Sequence, residues 1–439
     1  MLKTFYEKIL TGSQILPTQN TNRTSGESLY SRKSIEPANH LFWRGRDLYS
    51  SLYFYILLMR ENSMKVEELA AQLISFPTEM PPGNEEECAA YLRDYFRDLD
   101  IKRCEIEIHR FAEKRANLIV RIGPRGRAGL LFSGHIDVVP AGDPNMWSAP
   151  AFEPRIREGR LYGRGAADMK GGVAALVKAI ETFKNRELKR GIIFIATAGE
   201  ERGFDGLKAL IRDGKLKDGD ALYGVIGEPT ELRAVRAHRG GAIFKITSHG
   251  RSAHSSMPDL GINAIENAAH FIVELIGLRE RLGEIKDPDL GSTVLSTTVI
   301  EGGIKENVIP ESCQVVVDCR IIPAHSSEYI RSRLEELALR IRERLPTLQL
   351  TIEEVLSYDP LNTPRAHPFV KLCEEITGQP SETAPYGTEG PLYQRLNIST
   401  VVLGPGSVKQ AHIPNEYVEI KQLHQAQSIY EELIRQICL

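Results

Sequence analysis

Apolar residues recur along this chain with two periods, and the alternation of those periods predicts the order of its helices and strands. Between residues 64 and 233, apolar positions three and four residues apart predict helices, whereas short continuous apolar runs predict buried strands. Helices are expected at 85–99 and 171–183, and strands at 116–122, 130–133, 191–196 and 221–226. Buried strands separated by helices are typical of an α/β domain with a mostly parallel sheet.

The pattern changes between residues 234 and 355. Strands are expected there at 242–248, 293–300, 314–322 and 348–355, and long amphipathic helices at 261–282 and 326–345. Two helices and four strands make a self-contained α+β unit. The first pattern then resumes, with helix 367–377, strand 399–403 and a final helix. We therefore predict one domain formed by 64–233 and 356–439, interrupted by an inserted α+β domain at 234–355.

The first 63 residues differ from the rest of the chain. Residues 11–34 are rich in Ser, Thr, Asn and Gln and have no sustained apolar period, which is typical of disorder. The apolar run at 52–59 is far shorter than the ~20 residues of a membrane helix, and no signal-peptide cleavage site follows it. We expect the functional protein to begin near Met64. Residues 1–63 are then a dispensable, disordered extension or the result of a start codon assigned too early.

Composition narrows the class of protein. Hydrophobic residues make up 42% of the chain and charged residues 26%, which is ordinary for a globular protein. The formal net charge of -3 gives no reason to expect a nucleic-acid or membrane partner. The six cysteines form no C-x-x-C pair, so we expect free thiols in a reducing cytoplasm.

Candidate metal ligands follow several of the strand-like runs. Two are histidines and three are carboxylates: His135, Asp168, one of the adjacent pair Glu200 and Glu201, Glu228 and His412. Open α/β sheets bind their ligands at the carboxyl ends of strands. Two imidazoles and three carboxylates can hold two divalent metal ions that share a water. The sequence therefore predicts a dinuclear metal site and a hydrolytic enzyme.

Two further carboxylates accompany these candidates. Asp137 lies one strand period from His135, so it points to the same side and can orient that imidazole. Glu200 precedes Glu201, and adjacent side chains point in different directions, so one can bind metal while the other faces the water. Taken singly, the acidic candidates are also compatible with helix caps and solvated turns, and His412 with a surface loop. Their combination favours the metal site.

The motifs that carry these residues have a familiar order. SGHIDVVP, GRGAADMKGG, AGEE, GEPT, GRSAHSSMP, NVIP, DCR and AHIPNEYV resemble the acetylornithine deacetylase and succinyl-diaminopimelate desuccinylase family of dizinc amidohydrolases, from about residue 64 to 439. The resemblance implies one zinc held by His135, Asp168 and Glu228. It implies a second zinc, bridged to the first by Asp168 and held by Glu201 and His412. Cobalt is an alternative metal.

The resemblance also assigns roles beyond the metals. Glu200 would be the general base and then the acid, Asp137 would orient His135, and His254 would donate to the oxyanion. The inserted domain would be a lid and dimerisation domain, through which His254 reaches the neighbouring subunit of a homodimer or serves its own. Substrate-binding positions are expected at Arg239, Asn307, Arg320 and Thr388. From the residues alone, a polar loop and a salt-bridged strand end are the favoured explanation of His254, Asn307 and Arg320.

The substrate is expected to be a small N-acyl amino acid. The turn at 387–390 and the loop GPGSVKQAH resemble acetylornithine deacetylases more than bacterial desuccinylases. Deacetylation of N-acetylornithine in arginine biosynthesis is therefore the first expectation. The alternatives are succinyl-diaminopimelate or another lysine-pathway N-acyl amine, and after these a dipeptide or tripeptide. A metal-free binding or scaffold protein on the same fold is disfavoured, because every ligand candidate and Glu200 are present.

Overall fold

The structure is a computed structural model that describes residues 64–439. The prediction made for residues 1–63, including the apolar run at 52–59, lies outside the described residues. No helix within 64–439 is long and apolar enough to cross a membrane.

The strands of this range are short, and many of them are separated by helices. They are β1 (Cys104–Ala112), β2 (Arg115–Ile122), β3 (Ala128–His135), β4 (Arg155–Arg157), β5 (Arg160–Tyr162), β6 (Ile192–Thr197), β7 (Ala221–Ile226), β8 (Val235–His238), β9 (Gly240–His249), β10 (Ala253–His254), β11 (Lys286–Asp287), β12 (Gly291–Ser292), β13 (Val294–Gly302), β14 (Val308–Ile309), β15 (Ser312–Ile321), β16 (Gln349–Tyr358), β17 (Leu361–Asn362), β18 (Glu382–Ala384), β19 (Ser399–Val402) and β20 (Tyr417–Glu419).

The α-helices of the same range include all six that were predicted from apolar spacing. They are α1 (Val66–Ile74), α2 (Glu85–Asp98), α3 (Lys170–Thr182), α4 (Asp205–Arg212), α5 (Ala264–Glu284), α6 (Ser327–Arg344), α7 (Pro368–Thr377), α8 (Gly390–Arg395) and α9 (Ile420–Cys438). Helix α5 begins three residues later than expected, because the Asn263 side chain accepts from the amides of Ile265 and Glu266 and caps the helix there.

The larger sheet has nine strands in the order β1-β2-β6-β3-β7-β19-β8-β17, with β18 beside β8. Its centre, β6-β3-β7-β19, is parallel. The pairs β1-β2 and β2-β6 at one side of the sheet are antiparallel. For β1-β2 this follows from the tight connection between the two strands. The predicted α/β class is confirmed, and the sheet is mixed, with its parallel strands in the middle. Helices α1, α3 and α9 pack against one another, and α3 and α9 also contact β3.

The second sheet is antiparallel, with the order β13-β15-β9-β16. Helices α5 and α6 contact each other and this sheet. Their shared core includes Phe244, Phe271, Val317 and Leu334, all buried. The alternation of buried and partly exposed residues along β15 shows that one face of the sheet is covered. The predicted unit of two helices on four strands is confirmed.

The parallel centre of the large sheet positions the candidate site. Strand β3 ends at His135, and Glu228 lies just beyond the end of β7. After β6, Gly199 adopts φ +71°, a left-handed conformation that glycine tolerates best, and the chain turns there into Glu200 and Glu201. Because parallel strands end at one edge, these turns bring the candidate ligands together.

Candidate metal centre and active site

Two imidazoles face the two oxygens of one carboxylate at this edge of the sheet. His135 Nε2 lies 3.0 Å from Asp168 Oδ1, and His412 Nε2 lies 3.3 Å from Asp168 Oδ2. Each imidazole also meets a second carboxylate: Glu228 Oε1 is 3.3 Å from His135 Nε2, and Glu201 Oε1 is 3.1 Å from His412 Nε2. The five predicted ligands therefore form two groups of three that share Asp168.

These separations fit two metal ions. Ligand atoms about 2.0–2.1 Å from a tetrahedral zinc lie roughly 3.3 Å from one another. The 3.0–3.3 Å contacts between the imidazole nitrogens and carboxylate oxygens match that spacing in both groups. Imidazole and carboxylate are also the donor types that zinc takes from proteins. Each group can thus hold one ion, with one Asp168 oxygen turned to each.

The protonation of the imidazoles is consistent with metal binding. His135 Nδ1 donates to the carbonyl oxygen of Asp137 at 2.9 Å, so in the neutral ring the lone pair is on Nε2, the atom that faces Asp168.

His412 adopts φ +64°, a strained conformation for a residue other than glycine. Strain of this kind costs about 1–3 kcal/mol and is concentrated at functional sites.

The carboxylates of the cluster are electrostatically unfavourable without a cation. Burial, followed by the charge of Asp168, raises the pKa of Glu228 to about 7. Burial alone would also raise the pKa of Asp168, but hydrogen bonds from His135 and His412 lower it. Hydrogen bonds to Asp168 and Glu201 raise the pKa of His412 to about 10. The imidazoles thus supply positive charge next to these carboxylates, as a bound metal ion would.

Asp137 orients the site through both its backbone and its side chain. Its carbonyl holds His135, as described above, and its carboxylate is 3.6 Å from the same ring nitrogen. The two carboxylate oxygens accept from the amides of Glu200 and Glu201, at 3.1 Å each. Asp137 therefore fixes the Glu200–Glu201 turn relative to His135.

Glu200 lies within this cluster but outside the two groups. One donor atom each of Glu200, His135 and Glu228 lie within 4.8 Å of one another. Loss of hydration raises the pKa of Glu200 well above its usual range; His135 opposes this effect, and the charges of Glu228 and Glu201 add to it. A carboxyl with a raised pKa can hold and release a proton near neutral pH.

Glu416 is a buried residue whose role the sequence analysis missed. Its Oε1 accepts from the amides of Ala167 and Asp168, at 2.8 and 3.0 Å. Its Oε2 accepts from the Gly165 amide at 3.0 Å and from Arg164 Nη1 at 2.8 Å. One carboxylate therefore ties the loop before Asp168 to the loop of His412. The only sequence signal is an acidic residue four positions after His412, inside the motif AHIPNEYV.

Glu389 is a second buried carboxyl that was missed. Its Oε2 accepts from Thr197 Oγ1 at 3.1 Å and from Ser133 Oγ at 3.4 Å, while Oε1 has no hydrogen-bond partner among the described residues. Thr197 pairs with His135 in the sheet. Burial raises the pKa of Glu389 to about 8. No local period marks this residue, because its environment is made by strands distant in the chain.

His254 and Asn307 lie close together, on neighbouring segments of the inserted domain. His254 in β10 pairs with Val308 in β14, and both His254 and Asn307 are exposed. His254 Nδ1 accepts from the Ser256 amide at 3.2 Å, so in the neutral ring the proton is on Nε2. Among residues 64–439, no hydrogen bond or ion pair joins His254 to a candidate ligand.

The other predicted substrate residues have partners within the chain. Arg239 donates through Nε and Nη2 to the Leu290 carbonyl, at 2.8 and 2.5 Å. Thr388 donates from its amide to His238 Nε2 at 3.2 Å, and its hydroxyl lies 3.0 Å from the same atom. Arg320 donates to Asp318 and to the hydroxyl of Tyr358, at 2.9 and 3.1 Å. Their contact with substrate stays a prediction.

Comparison with known proteins identifies the family of the chain. The model of "Peptidase family M20/M25/M40" matches residues 131–436. The chain belongs to this peptidase family. It is accordingly a hydrolase of the amidohydrolase type, and the candidate metal ligands described above lie within the matched range.

The proteins to which this chain is similar carry different enzyme names. A curated acetylornithine deacetylase from Photorhabdus laumondii is 35% identical over 341 residues, which cover 76% of this chain and 87% of that protein. A Bacillus cereus aminopeptidase has a TM-score of 0.69 at 22% identity, covering 85% of this chain and 99% of its own. A dinuclear metal-binding peptidase of the M20 family from Bacillus subtilis has a TM-score of 0.60 at 17% identity, covering 88% and 99%. The two structural likenesses support the fold.

Proposed function

We propose that this chain is a dizinc deacylase that hydrolyses the amide bond of N-acyl amino acids, with N-acetylornithine as the first candidate substrate. The proposal rests chiefly on the Asp168 carboxylate, whose two oxygens each face a separate imidazole–carboxylate pair. The 35% identity to an acetylornithine deacetylase supports the choice of substrate.

The residues divide the work as follows. His135, Asp168 and Glu228 would hold one ion, and Asp168, Glu201 and His412 the other. Bound metal ions supply an acidified water, with its pKa lowered toward ~7, and a positive charge beside the substrate carbonyl. Zinc is the proposed metal, and cobalt the alternative.

Glu200 would carry the proton of this reaction. Its carboxylate accepts a proton from the attacking water and delivers it to the departing amine, for which a raised pKa is suited. Asp137 keeps Glu200 in place through the Glu200 amide. His254 Nε2–H would donate to the oxyanion of the tetrahedral intermediate. The products are a free amine and a carboxylate.

A substrate panel tests this function. Metal-loaded protein is assayed with N-acetylornithine, N-succinyl-diaminopimelate and several dipeptides, before and after chelation. We expect the highest kcat/KM with N-acetylornithine and loss of turnover on chelation. Glu200→Gln should lower kcat by about 10²–10⁴-fold at unchanged metal content. Glu187→Gln, in an exposed loop, serves as the control. A higher kcat/KM with the succinyl substrate or a dipeptide would show that N-acetylornithine is not the preferred substrate. Wild-type turnover by Glu200→Gln would exclude Glu200 as the base.

We further propose a cytoplasmic homodimer formed through the inserted domain, with His254 acting on the partner's site. Strand β13 is an edge strand of the second sheet and exposes Val299 and Ile300, and Ile304 follows it, 87% exposed. A second copy can cover such an edge. All six cysteines are free thiols, as suits a reducing cytoplasm.

Mixing two inactive variants tests the dimer. Glu200→Gln and His254→Ala are combined under conditions that exchange subunits. Each mixed dimer then has one site with an intact Glu200 of its own and an intact His254 from the partner. Activity should return to roughly one quarter of wild type if His254 acts across a two-fold interface. No recovery, with exchange verified by pull-down of a tagged subunit, would assign His254 to its own subunit.

A further inference from the structure

Tyr358 occupies the place where the second sheet returns to the large one. It is the last residue of β16, and it pairs with Gly241 near the start of β9. The chain crosses between the two sheets at both of these strands: β8 of the large sheet precedes β9, and β17 of the large sheet follows β16. The side chain is half-buried, although it stands at the end of a strand whose residues are mostly exposed or half-exposed.

The ring of Tyr358 packs against the turn that carries Glu200. Its centroid is 5.8 Å from that of Phe204, in an edge-to-face arrangement. Phe204 in turn donates from its amide to the Glu200 carbonyl at 3.2 Å. Tyr358 therefore contacts the Glu200 turn indirectly, through Phe204.

Two glycines make room for this ring. A Cβ on Gly387 would lie 2.2 Å from Tyr358 Cε2, and one on Gly241 would lie 2.6 Å from Cζ. Neither glycine has a positive φ, so the backbone does not require glycine at either position. The space is needed for Tyr358, which closes the gap between the Glu200 turn and the 387–390 turn.

The hydroxyl of Tyr358 meets Arg320 on the other side. Arg320 Nη1 donates to it at 3.1 Å, and Arg320 Nε donates to Asp318 Oδ1 at 2.9 Å. No hydrogen bond from Nη2 occurs within residues 64–439, and the Arg320 side chain is 43% exposed. Two anchored nitrogens fix the plane of the guanidinium and leave an edge open. A fixed guanidinium edge is what bidentate binding of a carboxylate requires.

We infer that Tyr358 is a positioning residue for substrate specificity: its hydroxyl holds Arg320 at a set place beside the Glu200 turn, so that Arg320 selects substrates bearing a carboxylate. This inference rests on the proposed function, because it takes an N-acyl amino acid as the substrate. Tyr358 itself need not touch the reacting bond. Its effect is transmitted through the guanidinium, while its ring sets the distance from Arg320 to Glu200.

The test compares substrates that differ only in the carboxylate. Metal-loaded wild type, Tyr358→Phe and the control Tyr329→Phe, on the exposed part of α6, are assayed with an N-acetyl amino acid and with its carboxamide. Tyr358→Phe should raise KM for the carboxylate substrate about 10-fold, with kcat within about twofold, because one hydrogen bond to a charged group is lost. The carboxamide should respond little, and Tyr329→Phe should match wild type with both.

A second variant moves the ring without changing Tyr358. Gly387→Ala places a methyl group against the ring and should cause the same selective rise in KM. The rise should disappear in the Gly387→Ala/Tyr358→Ala double variant relative to Tyr358→Ala alone, since the clash is then removed. Equal effects on the carboxylate and carboxamide substrates, or no effect of Tyr358→Phe, would overturn the inference.

Failure of the proposed function gives a different result. If wild type turns over dipeptides and no N-acyl amino acid, the deacylase proposal fails, and the same comparison is made with a dipeptide and its C-terminal amide. Calorimetric titration with the free amino acid and its amide repeats the comparison without turnover. A Tyr358→Phe variant that binds both as wild type does would overturn the role of Tyr358 in either case.

Discussion

Glu416→Gln is the substitution whose effect can best be worked out from the contacts. The carboxylate accepts four hydrogen bonds, two at each oxygen, all from donors in the segment 164–168. A glutamine of the same shape keeps one accepting oxygen and replaces the other with an NH₂ group. One pair of donors then faces a donor in a buried site, and Arg164 loses its only anionic partner among the described residues.

The expected loss of stability is large. Two lost charge-assisted hydrogen bonds contribute about 1.5–3 kcal/mol each, and removing one member of a buried ion pair costs about 3–5 kcal/mol. Arg164 keeps weaker contacts with the carbonyls of Ile413 and Pro140, at 3.3 Å each. We therefore expect the free energy of unfolding to fall by about 3–5 kcal/mol. Metal affinity should fall about 10–100-fold, because Glu416 orients Asp168 through its amide.

Two measurements check this prediction. Urea unfolding of the chelated proteins gives the change in stability, and metal content after dialysis against graded chelator gives the change in affinity. Glu419→Gln is the matched control, since Glu419 lies three residues away and is exposed. Among residues 64–439 its side chain makes only a 3.8 Å ion pair with Arg160. Its effect should be at most ~1 kcal/mol. A Glu416→Gln protein that unfolds and retains metal like this control would refute the role given to Glu416.

Two further predictions concern His238 and Arg320. Burial lowers the pKa of His238 to about 4. Between pH 6.5, near the pKa of histidine in the unfolded chain, and pH 4, the unfolded chain therefore binds a proton that the folded chain does not. The free energy of unfolding should decrease by about 3 kcal/mol as the pH is lowered through this range. His238→Gln should lose this component when urea unfolding is compared at pH 7 and 4.5; an equal acid sensitivity would contradict the assignment. Arg320→Lys should raise KM more than it lowers kcat, because an ammonium cannot hold Asp318, Tyr358 and a carboxylate in one plane; an unchanged KM would remove Arg320 from the binding site.

The sequence by itself determined the order of the main elements and the identity of the candidate ligands. Helix α2 and strands β6 and β7 lie within one residue of the predicted bounds, because their apolar periods are local properties. The candidate ligands that follow β3, β6 and β7 could also be expected to lie close together, since parallel strands end at one edge of the sheet. Strand β1 was not predicted, although its alternation of Glu and Ile has the strand period of two.

Only the tertiary structure decided which distant residues meet. Glu416 and Asp168 are 248 residues apart, and the hydrogen bond between them depends on β20 pairing with β5, a contact that no local period indicates. Tyr358 meets Arg320 and Phe204 because β16 ends where two sheets approach each other. Periodicity reports which face of an element is buried. The partner of a buried polar group is set by the path of the chain through space, and that path exists only once the elements have packed.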